Sequence, residues 1–109
     1  MKIIGAVLTA ATLVCTGHAS AALDRAAADA LMKKNGCAAC HAVDKKIIGP
    51  SYLDVAAKYR PDKDAIAKLS KKVKDGGVGV WGQIPMPPNA NIPDADIKEL
   101  VTWIMTLKK

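Results

Sequence analysis

The sequence predicts an all-α domain of about four helices. Three observations carry this prediction. Apolar residues recur at helical spacing in four separate segments. No stretch alternates apolar and polar residues as a half-buried strand does. The one long gap between helical segments is broken repeatedly by glycine and proline.

The first segment, Leu23 to Gly36, is rich in alanine, with Asp24 placed to cap it. Lys33 and Lys34 suit its negative C-terminal end, and Gly36 stops it. The second lies between Pro50 and Pro61 and sets Leu53, Ala56 and Ala57 on one side. The third, "DKDAIAKLSKKVKDGG", places Ile66, Leu69 and Val73 at helical spacing, with lysines opposite and Gly76 and Gly77 at its end. The fourth, "DADIKELVTWIMTLKK", carries one apolar stripe of Ile97, Leu100, Val101, Ile104 and Leu107. Asp94, Asp96 and Glu99 near its start and Lys108 and Lys109 at its end match the helix dipole. Between the last two helices, Gly76 to Pro93 contains four glycines and four prolines and cannot be regular helix or strand. Ordered loops of this length are usually functional in compact domains.

The N-terminus reads as a separate segment. Lys2 supplies a charged start, Ile3 to Cys15 run apolar or small, and Ala19-Ser20-Ala21 fits a signal-peptidase site. The apolar run is short for a bilayer span, which takes about 20 residues. A retained anchor is the alternative, and bulky Val14 before Cys15 argues against a lipoprotein. The expected division is a cleaved signal peptide, 1–21 or 1–22, followed by one domain, 22–109. Cleavage after Ala21 leaves 88 residues (109 less 21) and lowers the formal charge from +6 to +5 through loss of Lys2. Cys15 and His18 leave with the leader, so the domain keeps only Cys37, Cys40 and His41 of these types. A chain this short holds a marginal core and often needs a staple, a metal or a cofactor. It has no Phe, and its aromatics are Tyr52, Tyr59, Trp81 and Trp103. A large planar cofactor would supply the missing apolar bulk.

"NGCAACHAV", Asn35 to Val43, admits three chemistries. Structural zinc needs four ligands, and no second Cys or His pair exists to complete them. A thioredoxin-like dithiol belongs beside a βαβ pattern, which this chain lacks. A plain Cys37–Cys40 disulfide suits an oxidising compartment but closes a very small loop, stabilises little, and leaves His41 unexplained. C-x-x-C-H is the signature of c-type haem attachment. Two thiols three residues apart reach the two vinyl groups on one porphyrin edge, and His41 is placed to ligate iron.

A second axial ligand follows by elimination. No other histidine remains, and Met/His ligation raises the reduction potential. Met32 lies on the short helix beside the attachment edge, and Met105 lies beside the apolar stripe of the last helix. Met86 sits in "QIPMPPNA", where Pro85, Pro87 and Pro88 stiffen the backbone on both sides. Met86 is therefore the expected sixth ligand.

"NGCAACHAVDKKIIGPSYLDVAAKY" and "GVGVWGQIPMPPNA", with a 45-residue step from His41 to Met86, resemble the small bacterial class I monohaem cytochromes c of the short c-551 type. The resemblance covers the whole domain. It implies the small class I cytochrome c fold, about four helices around one haem c bound covalently through Cys37 and Cys40. It implies that the Pro50 carbonyl accepts a hydrogen bond from His41, that Trp81 bonds a haem propionate, and that Asn89 orients Met86. Where the family often has an arginine near the propionates, this chain has Lys72, a point charge instead of a planar fork. The implied function is a periplasmic single-electron carrier between respiratory partners, not an enzyme, with nitrite reductase or a terminal oxidase as acceptors.

A five-coordinate haem enzyme or gas sensor is the alternative, and no distal His or Arg is available for peroxide chemistry. The expected partners are acidic redox proteins that dock on an apolar rim of Ala38, Ala39, Ile84, Pro87 and Pro88, with Lys33, Lys34, Lys45 and Lys46 around it. The sequence pI of about 9.4 does not point to nucleic acid, because the lysines lack interleaved aromatics. The domain is expected to be a monomer without a membrane span.

Overall fold

The computed structural model describes residues 5, 9–13 and 23–109. The expected cleavage region, residues 19–22, lies outside the described residues. Four α-helices follow in order: α1, Arg25–Lys34; α2, Tyr52–Tyr59; α3, Ala65–Asp75; and α4, Asp94–Ile104. One 3₁₀ turn, Cys37–Ala39, follows α1. Among the described residues there is no strand, only two isolated bridges, His41 with Lys46 and Gly77 with Met86. No described helix is long and apolar enough to cross a membrane.

The helix boundaries follow local chemistry. Asp24 accepts a hydrogen bond from the Ala27 N–H at 2.7 Å and opens α1. Lys33 and Lys34 fall in the last turn of α1, and Gly36 turns the chain away at φ 75°. Ser51 opens α2 by accepting from the Asp54 N–H at 3.1 Å. The apolar face of α2 differs from the expected one. Tyr52, Val55 and Ala56 are buried, Tyr59 is partly buried, and Ala57 faces solvent. Spacings of three, four and seven residues from Tyr52 form the true stripe, and an aromatic at its head outweighs Leu53 in area.

α4 is the packing centre, resting mainly on α3 and also on α1 and α2. Ile97 and Val101 are each only 1% exposed, and Leu100, Trp103 and Ile104 join them in the core. The helix ends at Ile104, short of the terminal lysines. There the Thr106 hydroxyl and N–H both donate to the Trp103 carbonyl, at 2.6 and 2.9 Å, and close a turn. Lys109 therefore meets α2 instead, pairing with Asp54 at 3.0 Å. Arg60, just beyond α2, adds a bond to the Leu107 carbonyl at 2.6 Å. These contacts tie the C-terminal segment across the bundle and leave one side of α4 facing a cleft.

Candidate functional site

The cleft has a volume of about 310 Å³. Cys37, Cys40 and His41 line it from the segment after α1, and Gly77 to Pro87 line it from the segment after α3. Ile97, Leu100, Val101 and Ile104 of α4 also line it. Each segment is held by its own set of bonds.

The 3₁₀ turn brings the two cysteines to one place. The Cys37 carbonyl accepts from the N–H groups of Cys40 and His41 at 3.1 and 3.0 Å. Both thiols are free and half-buried. Burial pushes the Cys37 thiol up from its ordinary value. Beyond the turn, the Cys40 carbonyl receives the Gly49 N–H at 2.8 Å, and Ala42 and Val43 receive Tyr52 and Leu53 at 3.0 Å each. Residues 40 to 53 are thus a closed loop that returns to the start of α2.

That loop fixes the imidazole. His41 Nδ1 lies 2.8 Å from the Pro50 carbonyl oxygen. A carbonyl can only accept, so Nδ1 carries the proton and Nε2 presents a lone pair. Tyr52, 6% exposed, stacks on the imidazole at 5.3 Å between centroids and 24° between planes. Gly49 closes a third side, since a Cβ there would lie 2.5 Å from His41 Cε1. Sequence reasoning reached Pro50 through resemblance but missed Gly49 and Tyr52. The usable signal was a glycine and a tyrosine flanking that proline by one and two positions.

The loop carrying Met86 is braced by backbone bonds. Gly77 and Met86 exchange both N–H to carbonyl bonds, at 3.0 and 2.8 Å. Gly76 sits at φ 71°, and a Cβ on it would lie 2.5 Å from the Met86 carbonyl oxygen, so a side chain has no room. Asn89 caps α3 from outside. Its N–H donates to the Lys74 carbonyl and its side-chain amide to the Val73 carbonyl, each at 3.0 Å, and the amide also reaches Pro87 O at 3.3 Å. Two orphan carbonyls of the last helical turn are thereby satisfied by the loop. No side chain from Gly76 to Pro93 is ionisable.

Trp81 stands at the cleft, 42% exposed, with Lys58 Nζ 5.4 Å from its ring centroid. Lys72 also lines the cleft, and its side chain passes over Gly77. Ile47, Ile48, Val78, Val80 and Ile84 are all at least 44% exposed. Of the rim expected from sequence, Ile84 and Pro87 line the cleft, whereas Ala38, Ala39 and Pro88 are exposed without lining it.

The donor set fits a haem. An imidazole nitrogen and a thioether are suitable iron ligands, and two adjacent thiols stand beside the imidazole. Apolar side chains of α4 and the loop give a planar macrocycle the surroundings it needs.

Comparison with known proteins agrees. A family model described as Cytochrome c matches residues 26–108. Cytochrome c-552 of Nitrosomonas europaea is 52% identical over 99 residues, covering 91% of this chain and 90% of that protein. Cytochrome c-551 of Allochromatium vinosum is 61% identical over 77 residues, covering 71% of this chain and 82% of that one. The crystal structure of wild-type Nitrosomonas europaea cytochrome c552 superposes with a TM-score of 0.71 at 56% identity, covering 73% of this chain and 99% of that chain. The chain belongs to the cytochrome c family, as a class I monohaem cytochrome c of the c-551 type. It carries one haem c attached through Cys37 and Cys40, and it serves electron transfer with redox partners.

The Gly49 contact makes a prediction. Gly49→Ala should push the imidazole off the Pro50 carbonyl and cost roughly 1–3 kcal/mol, as overpacking does. Guanidinium unfolding of the holo protein measures this. Unchanged stability together with unchanged proton NMR shifts of the His41 ring would show that the wall is soft.

Proposed function

We propose that the protein is a periplasmic, monomeric single-electron carrier whose haem is ligated by His41 and Met86. The observation that carries this reading is the Nδ1 bond from His41 to Pro50, which leaves Nε2 directed to ligation. Met86 is the methionine whose backbone is locked on both atoms by Gly77 in the segment lining the same cleft. Met32 also lines that cleft, but it is 4% exposed in the core cluster on the helix just before the two cysteines, and Met105 packs against the same cluster. When bound, the haem iron supplies a one-electron Fe(II)/Fe(III) couple.

The residues around it have separable tasks. His41 and Met86 would together hold the iron, which would leave no open coordination site for a substrate, so the protein is a carrier and not an enzyme. The apolar wall of α4 excludes water and favours the less charged reduced state, as thioether ligation also does. Trp81, which lines the cleft, would hold a propionate by its indole N–H. Asn89 orients Met86 through the carbonyls it binds.

The leader, residues 1–21, directs export and is removed. Partners are acidic redox proteins of a respiratory chain, with nitrite reductase or a terminal oxidase as acceptors. They dock where Ile84 and Pro87 meet the cleft, beside the exposed Lys45 and Lys46. Such encounters are small, weak and steered by charge.

Three outcomes are expected. Met86→Ala should abolish the far-red absorption band of the ferric protein and lower the midpoint potential by more than about 59 mV, a tenfold effect for a one-electron couple. A variant with an intact band would remove Met86 from the iron. Transfer rates to an acidic partner should fall as ionic strength rises, since charges beyond about 10 Å are screened at 0.1 M salt. Rates indifferent to salt would leave docking to apolar contact alone. N-terminal sequencing of the mature protein should start at Ala22 or Leu23, and an intact Met1 would refute cleavage.

A further inference from the structure

Lys74 is the last lysine of α3, and it does not point away into solvent as most lysines of that helix do. Its ammonium donates to the Ile92 carbonyl at 2.8 Å and lies 2.9 Å from Asp94 Oδ1. Its own carbonyl receives the Asn89 N–H. One residue therefore holds the Met86 loop at Asn89, at Ile92 and at the first residue of α4. The two side-chain contacts are unequal. The Asp94 side chain is 88% exposed, and such pairs contribute little. Ile92 is 6% exposed, and a charge-assisted bond to its carbonyl is the stronger restraint. Upstream, the loop is held by the Gly77–Met86 exchange. Downstream of Asn89, Lys74 supplies the one side-chain bond to Ile92 among the described residues.

We infer that Lys74 is a positioning residue for the sixth ligand, a latch that keeps the segment after Met86 closed against α3. The inference rests on reading Met86 as an iron ligand. It concerns how often the loop opens, which the ligand's identity alone does not determine. With the latch removed, the downstream half of the loop keeps the Asn89 bonds and the buried Ile92 side chain but loses its charge-assisted bond to α3, and Met86 leaves the iron more often by local opening.

The test is cyanide binding to the ferric holo protein, because cyanide enters only after the methionine has left. Lys74→Met should bind cyanide about tenfold to hundredfold faster than wild type, the change that losing one charge-assisted bond from an opening equilibrium produces. Lys68→Met is the control. It removes the Lys68–Asp62 pair, 2.7 Å apart at the start of the same helix, and should leave the cyanide rate unchanged. Met86→Ala separates the two readings. If it loses the far-red band while Lys74→Met keeps the wild-type cyanide rate, the latch alone is wrong. If Met86→Ala keeps the band, the ligand assignment falls and the latch with it. Equal acceleration by Lys68→Met would reduce the effect to general destabilisation and overturn the inference. Should Lys74→Met not accumulate with haem attached, Lys74→Gln provides the same comparison.

Discussion

The hydrogen bond between His41 Nδ1 and the Pro50 carbonyl orders one half of the molecule. It fixes the tautomer and the plane of the ring together. It also has a structural partner on each side. Gly49 can approach the ring because it has no Cβ, and Ser51, the residue after Pro50, caps α2. Tyr52 then leads the buried face of α2 and covers the ring. Four consecutive residues, Gly49 to Tyr52, thus convert the return of a loop into both a ligand mount and a helix start. Moving any one of them disturbs the imidazole and the packing of α2 at once.

The other half is built on a different principle. The loop after α3 contains little regular structure and few apolar residues that face the core. Ile92 is its one buried residue. Hydrogen bonds to backbone carbonyls do the holding instead, through Gly77 and Met86, through Asn89 on the end of α3, and through the Lys74 ammonium on Ile92. Such a loop gains most of its order from satisfied carbonyls, and it loses that order locally when one bond goes. A histidine held by a packed wall and a methionine-bearing loop held by hydrogen bonds line the cleft from its two sides.

Much of this was legible in the sequence. Four helical periods, a C-A-A-C-H motif and a methionine between prolines gave the fold class and the attachment site. The α1 cap at Asp24 and the α4 stripe were also readable, because each depends on neighbours within one or two turns. What escaped depends on contacts across the fold. Leu53, Ala56 and Ala57 satisfy helical spacing as well as Tyr52, Val55 and Ala56 do, and only the position of the cleft chooses between them. The end of α4 was misplaced because Thr106 closes a turn on Trp103, a local competition that charge pattern does not reveal. Gly49 looked like an ordinary loop glycine, since the ring it touches lies eight residues earlier. Asn89 was reached by resemblance, but its role as a cap for α3 spans 15 and 16 residues and leaves no pattern in the sequence.

The absence of ionisable side chains from Gly76 to Pro93 has a consequence of its own. Within that loop there is no side-chain proton to gain or lose. The charged side chains set against it are Lys58, Lys72, Lys74 and Asp94. Charge therefore reaches the methionine side only from outside the loop, on side chains that α2, α3 and α4 supply.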